Sequence, residues 1–332
     1  MCPLSQTVLP RWRGFNLLEM FTSKSGGDFR EDDFRWIADW GFDFVRIPMC
    51  YLLWVEETDI YKVKEPMLEK IDRVVEMGRQ YGVHVCLNFH RAPGYSVNRE
   101  RSEPFNLWKD QAALDAFCFH WELLAGRYRG IPSGQLSFNL VNEPRSPSEE
   151  LMTRADHERV VRAAVASIRH MDADRLTIID GLTWANDPCP ELADLKVAQS
   201  CRAYTPMEIS HHKAHWVARE GWPEPTWPLE TPTGPCDRRS LEQHYARWAD
   251  LARAGVGVHC GEGGCFNLTP HDVFLRWFRD VLEILTGLGI GLALWQFRGA
   301  FGILDSGRAD VAYEDFHGHK LDRKLLDLLR EF

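Results

Sequence analysis

The stretch Gln135-Leu136-Ser137-Phe138-Asn139-Leu140-Val141-Asn142-Glu143-Pro144 reads as a short apolar strand that ends on a carboxylate. Gly255-Val256-Gly257-Val258-His259-Cys260-Gly261-Glu262-Gly263-Gly264 repeats the arrangement. Removing an ionised carboxyl group from water is costly unless hydrogen bonds or cations compensate it. A glutamate at the carboxyl end of a buried strand is therefore placed for chemistry, as a strand-end cap or in a structural ion pair. Barrel enzymes carry their reactive groups at this end of their strands. Two such glutamates in one sheet favour chemistry, and the pairing fits a glycosidase.

Outward from these two runs, short apolar segments recur at 13–18, 42–48, 83–90, 136–141, 175–181, 197–204, 255–262 and 290–297. Segments of helical period lie between most of them, at 31–40, 65–81, 111–128, 148–171, 240–254, 271–288 and 321–332. Within 65–81, Met67, Leu68, Ile71, Val74, Val75 and Gly78 share one stripe, while Glu69, Lys70, Arg73 and Glu76 lie off it. The fifth crossover, 182–196, is too rich in proline to predict a helix. Alternation of this kind signals βαβ units and a parallel sheet, and eight strands close a barrel. The prediction is a single α/β domain over residues 1–332, a (β/α)8 TIM barrel without internal sequence repeats. Residues 206–235, dense in Trp, Pro and His, read as an enlarged loop after the sixth strand. Its Trp216, Trp222 and Trp227 suit the apolar faces of sugar rings, although each alone is better explained by packing within the loop.

The bulk properties narrow the classes. A chain of 332 residues, 45% hydrophobic, fits one large domain or two ordinary ones. A net charge of -9 without a basic run argues against a nucleic-acid partner. Residues 1–11 lack the basic start and apolar core of a secretory signal, and no later run is long enough to span a membrane. The chain as it stands is expected to be soluble and cytoplasmic, or secreted if a signal preceded it. The nine cysteines form no CxxC pair, and Cys86 and Cys260 lie inside apolar strands, so buried free thiols are predicted. Oligomeric state is not legible.

With the strands so placed, polar residues collect at one rim: Arg46 on the second strand, His90 on the third, Asn142 and Glu143 on the fourth. Arg202 and Tyr204 follow on the sixth, Glu262 on the seventh and Trp295 on the eighth. Side chains two apart share a face, so His84, Cys86, Asn88 and His90 line one side of the third strand, and Val258, Cys260 and Glu262 one side of the seventh. By that parity His84 is a core histidine beneath the mouth and His259 faces the helices.

The strings Arg13-Gly14-Phe15-Asn16, Phe44-Val45-Arg46-Ile47-Pro48, Leu87-Asn88-Phe89-His90, Asn142-Glu143-Pro144, Tyr204-Thr205-Pro206, Gly261-Glu262 and Leu294-Trp295 resemble glycoside hydrolase family 5, the clan A cellulase family. They occur in that family's order over nearly the whole chain. The resemblance implies a retaining β-glycosidase without cofactor or metal, with Glu143 as general acid/base and Glu262 as nucleophile. It also implies that Arg46 and Tyr204 hold the nucleophile ionised, that His90 and Asn142 contact the reactive sugar, and that Trp295 is the platform beneath it. His90-Arg91-Ala92-Pro93-Gly94 is similar to a string of the family's exo-β-1,3-glucanase branch, which points to β-linked glucosides or gluco-oligosaccharides. Mannosides and glycolipids are alternatives within the family.

One position departs from the pattern. The family usually has His-x-Tyr on the sixth strand, and here Arg202-Ala203-Tyr204 stands in its place. A permanent cation beside Glu143 would lower its pKa, against the needs of a general acid. Arg202 is therefore expected either to touch Glu143 and shift the pH optimum toward acid, to bind substrate, or to pair with an acidic side chain. Two other classes compete. A carbohydrate-binding barrel without catalysis would keep the aromatics but has little reason to keep both glutamates with Arg46 and Tyr204. A metal-dependent hydrolase would account for His211, His212 and His215, but His211 and His215, the pair at helical i, i+4 spacing, lack a third convergent ligand.

Overall fold

In the computed structural model, which describes residues 8–98, 102–231 and 234–332, eight parallel strands alternate with helices and close on themselves. They are Gly14–Asn16, Phe44–Cys50, His84–Ala92, Leu136–Asn139, Thr177–Asp180, Ala198–Ala203, Val258–Gly263 and Leu292–Leu294. Each pairs with the next in chain order, and Gly14 and Phe15 pair with Ala293 and Leu294 to complete the ring. Closure leaves the barrel sheet no edge. Each predicted strand segment overlaps one of these strands, and the second, third and seventh strands run one or two residues past the predicted end.

Helices pack outside. Glu65–Tyr81 buries Leu68, Ile71, Val74, Val75 and Gly78, and stops at Gly82, whose φ of 67° is a left-handed cap. The helix predicted from residue 148 begins only at Arg154. There the Thr153 hydroxyl accepts from the Asp156 N–H while Asp156 Oδ2 accepts from the Thr153 N–H, a reciprocal cap that sets the start. In the fifth crossover Thr183, Trp184 and Ala185 are left-handed, with φ of 56°, 55° and 59°, before a short 3-10 helix at Pro190–Leu195.

The barrel interior is layered. Trp12, Phe44, Cys86, Leu176, Ile178, Ala198 and Ala293 form an apolar plug at the amino end. The His84 ring stacks on Trp12 at 3.8 Å between centroids, and its nitrogens lie 3.0 Å from the Gly134 carbonyl and 2.8 Å from Ser137 Oγ, as expected of a core histidine. His259 differs from the parity reading. It faces this plug, with its ring 4.5 Å from that of Phe44 and Nε2 3.2 Å from the Trp12 carbonyl. Val258 and Cys260 instead join the large core between strands and helices. The cause is a register shift against the sixth strand, where Cys260 pairs with Cys201 but Glu262 with Arg202. The extra residue lets His259, Gly261 and Glu262 all reach the interior.

The segment after the sixth strand holds a helical turn, Met207–Ser210, and a hairpin of Leu229–Thr231 with Gly234–Cys236. Its tryptophans differ in role. Trp227 is buried and donates from Nε1 to Asp280 Oδ2 at 2.8 Å, Trp222 carries the Arg219 guanidinium 5.1 Å above its ring, and Trp216 is 52% exposed. The described cysteines are free, with Cys86 and Cys260 buried.

Candidate active site

Above the plug the interior turns polar. Arg46, from the second strand, is 1% exposed and distributes its donors inside the barrel. Nε donates to Asn139 Oδ1 (3.0 Å), Nη1 to Asn16 Oδ1 (3.0 Å) and Glu262 Oε1 (2.7 Å), and Nη2 to Asn142 Oδ1 (2.8 Å). Arg202 enters from the opposite side, also 1% exposed. Its Nε donates to Glu143 Oε1 (2.9 Å), and Nη1 to Ser200 Oγ (3.0 Å) and the Cys201 carbonyl (3.1 Å). Its Nη2 donates to Asn142 Oδ1 (2.9 Å), to Glu262 Oε1 (3.2 Å) and to Asp180 Oδ2. A buried guanidinium is tolerable only with this degree of satisfaction. It also leaves Arg202 beneath the carboxylates rather than open to a sugar.

Glu262 is 3% exposed; besides the two guanidiniums it accepts from the Tyr204 hydroxyl at 3.1 Å on Oε2. Burial, then the charges of Glu262 and Glu143, push the Tyr204 phenol well above its ordinary range, so it remains a donor. Glu143 sits differently. Its side chain is 15% exposed and its backbone is left-handed at φ 49°, a conformation that costs about 1 kcal/mol or more in a residue with a Cβ. Two buried groups hold it there: Asp180 Oδ2 accepts the Glu143 N–H at 2.9 Å, and the Tyr95 hydroxyl donates to the Glu143 carbonyl at 2.7 Å. Burial and the neighbouring Glu262 raise the Glu143 pKa to about 7, against the lowering pull of Arg202. The depression expected from an adjacent arginine is thus present but outweighed.

The predicted rim residues converge. Asn142 offers one oxygen to both arginines, which turns its Nδ2 away as a buried donor without a protein partner. His90 lies stacked on Trp295, with centroids 5.6 Å apart and planes at 21°. Its Nδ1 is likewise buried and unpartnered, and burial followed by the charges of Arg46 and Arg202 holds the ring neutral, with its pKa well below the usual value. His211 packs on Tyr204 at 4.9 Å and bonds Ser210 Oγ through Nδ1 (2.8 Å), while His215 packs on Trp216. Among the described residues no group of His, Cys, Asp and Glu could hold a metal ion.

Sequence reading missed four members. Asp180, which ends Thr177–Asp180 on the same apolar-run-to-carboxylate signal as Glu143, binds Arg202 and the Glu143 backbone. Asn16 and Asn139 orient Arg46, and Tyr95, on the hairpin after the third strand, grips Glu143. Tyr95 carries no signal in its local sequence, because only the packing of two loops brings it there.

A closed barrel with paired carboxylates at its carboxyl rim defines the class, and the comparisons agree. Residues 6–300 match the Cellulase family, glycosyl hydrolase family 5. The chain belongs to glycosyl hydrolase family 5 and is a β-glycoside hydrolase acting on carbohydrate. It is 25% identical over 311 residues to Endoglucanase C of Acetivibrio thermocellus, covering 86% of this chain and 88% of that one. It is 25% identical over 272 residues to Cellodextrinase A of Ruminococcus flavefaciens, covering 79% and 76%. A crystal structure of a glycoside hydrolase superposes with a TM-score of 0.93 at 41% identity, covering 97% of this chain and 99% of that one. The endoglucanase Cel5A of Thermotoga maritima shares the fold, with a TM-score of 0.77 at 21% identity and 98% of each chain covered. Among the described residues no helix is long and apolar enough to cross a membrane.

Proposed function

We propose that the enzyme hydrolyses β-linked glucosides or gluco-oligosaccharides with retention, Glu262 attacking the anomeric carbon and Glu143 serving as general acid and then base. The observation that carries this reading is the unequal treatment of two carboxyl groups set against one guanidinium. Glu262 accepts from Arg46, Arg202 and Tyr204, whereas Glu143 has one charged donor and a pKa raised to about 7 by burial and by Glu262. One group is suited to act as an anion and the other to hold a proton, and divergent environments of this kind assign acid and base. Contact of both with the Nε and Nη2 side of Arg202 fits the close spacing, about 5–5.5 Å, that direct attack requires.

In the first step the Glu262 carboxylate forms a bond to the anomeric carbon as the glycosidic C–O bond breaks, and the Glu143 proton passes to the departing oxygen. In the second, Glu143 takes a proton from water, the water oxygen displaces Glu262, and the sugar leaves with its original configuration. The unpartnered Asn142 Nδ2 and His90 Nδ1 are available to sugar hydroxyls, with Trp295 as the adjoining aromatic face. Trp184, 44% exposed beside Pro144, and Trp216 extend apolar surface from the mouth. The names of the endoglucanase and cellodextrinase relatives favour β-glucosidic chains.

Azide rescue with product analysis tests the assignment. Glu262→Ala with azide should regain turnover of an activated aryl β-glycoside and yield the α-glycosyl azide, while Glu143→Ala should yield the β-azide. An α-azide from Glu143→Ala would reverse the roles, and rescue of neither variant would remove the pair.

A further inference from the structure

Two guanidiniums, Arg46 and Arg202, lie beneath the mouth, and three carboxyl groups, Asp180, Glu143 and Glu262, face them. With Glu143 and Glu262 alone, the cluster would be neutral only with both ionised, leaving Glu143 no proton to give. Asp180 changes that balance, because with a third carboxylate the neutral state is the one in which a single proton stays on the cluster. Of the three, Glu143 has the most solvent exposure and the fewest cationic contacts.

We infer that Asp180 is a positioning residue for the acid step: it takes up the charge of Arg202, so that a permanent cation can lie against Glu143 without stripping its proton. The inference rests on the reading of Glu143 as the acid. The geometry is specific to that task. Asp180 is 1% exposed and has no access to a sugar. Its Oδ2 accepts from both Arg202 Nη2 and the Glu143 N–H, and its Oδ1 accepts from Asn139 Nδ2 at 3.0 Å. One carboxylate thus offsets the arginine and fixes the left-handed backbone of the residue that arginine touches. The other ionisable groups facing Glu143 are Glu262 on the seventh strand, Tyr204 on the sixth and the Tyr95 hydroxyl on its carbonyl. Burial alone favours neutral Glu143 whatever Asp180 does. The proposal therefore concerns the negative charge that Asp180 sets against Arg202, which burial does not supply.

The test is a double-mutant cycle read on the basic limb of kcat/KM, using an aryl β-glycoside that Glu143→Gln still turns over measurably. Asp180→Asn should move the limb to lower pH by about one unit or more, and Arg202→His should move it upward. Asp180→Asn/Arg202→His should return to within about half a unit of the parent. An unmoved limb in Asp180→Asn, or a double variant outside the interval between the two singles, overturns the inference. Should Asp180→Asn fail to fold, since breaking one side of a buried pair is severe, the comparison of Arg202→His with the double variant decides. A limb lower in the double by about a unit supports the charge offset by Asp180, and identical limbs refute it. Glu143→Gln separates the two layers of argument. If the basic limb survives in it, the reading of Glu143 as the acid falls. If the limb is lost there but stays fixed across the cycle, only the role of Asp180 falls.

Discussion

The same eight strands carry two interiors. At the amino end Trp12, Phe44, Leu176, Ile178 and Ala198 exclude charge, and the two histidines there are kept neutral. A few residues further along each strand, Arg46, Arg202, Asp180 and Glu262 are buried just as deeply yet joined in ion pairs. The difference lies in supply of partners. The plug gives His84 a carbonyl and a hydroxyl, enough for a neutral ring, whereas the upper layer gives each guanidinium acceptors along its length. Burial of an ionisable group therefore has no fixed outcome: it neutralises where partners are few and sharpens electrostatics where they are many.

The largest effect expected from breaking the upper layer is catalytic. Glu262→Gln keeps the size of the side chain and removes the proposed nucleophile, and kcat should fall at least about 10⁴-fold in steady-state assays. Retention of the β anomer, followed by proton NMR of early products in the parent enzyme, belongs to the same claim. The next effect is on pH. As the proposed acid, Glu143 must be protonated at the start of the reaction, and burial and Glu262 raise its pKa to about 7. The parent kcat/KM should fall about tenfold per unit once pH rises above that value, and a profile flat to pH 9 would place the acid elsewhere.

The lower layer is probed through stability. Burial lowers the pKa of His84 to about 3 and of His259 to about 4. A free imidazole titrates near about 6.5, so below that pH the unfolded chain binds protons that the folded chain refuses. Their contribution is complete above about pH 6.5 and is lost as pH falls, by up to about 1.4 kcal/mol per histidine for each unit. Denaturant unfolding of the parent between pH 7 and 5 should show this slope, and His84→Gln should flatten it.

Where the two layers meet, Gly261 offers a smaller perturbation. A Cβ there would lie 2.6 Å from Ser200 Oγ and 3.2 Å from Arg202 Nη1, so Gly261→Ala should cost about 1–3 kcal/mol in thermal or denaturant unfolding and disturb kcat through Arg202. Smallest of all, Trp184→Ala should raise KM for oligosaccharides by less than about tenfold while leaving kcat near the parent, as loss of one stacking face predicts.

The strands, most of the helices and both rim glutamates were legible in the sequence because they rest on local patterns. An apolar run bounded by breakers, a stripe of helical period and a carboxylate at the end of a strand are properties of consecutive residues. Such patterns place Glu65–Tyr81 and bring Arg46, His90, Glu143 and Glu262 to one rim. The inward turn of His259 was not legible, because a register shift against a neighbouring strand cancels the alternation that a single strand displays. Nor was the state of Glu143: local reasoning held that Arg202, if it lay beside Glu143, would depress its pKa, while burial and Glu262 raise it. Asp180 carried the same strand-end signal as Glu143, yet its partner Arg202 stands 22 residues away on the next strand. Periodicity is written along the chain and can be read there, whereas charge balance is a sum over neighbours that only the closed barrel brings together.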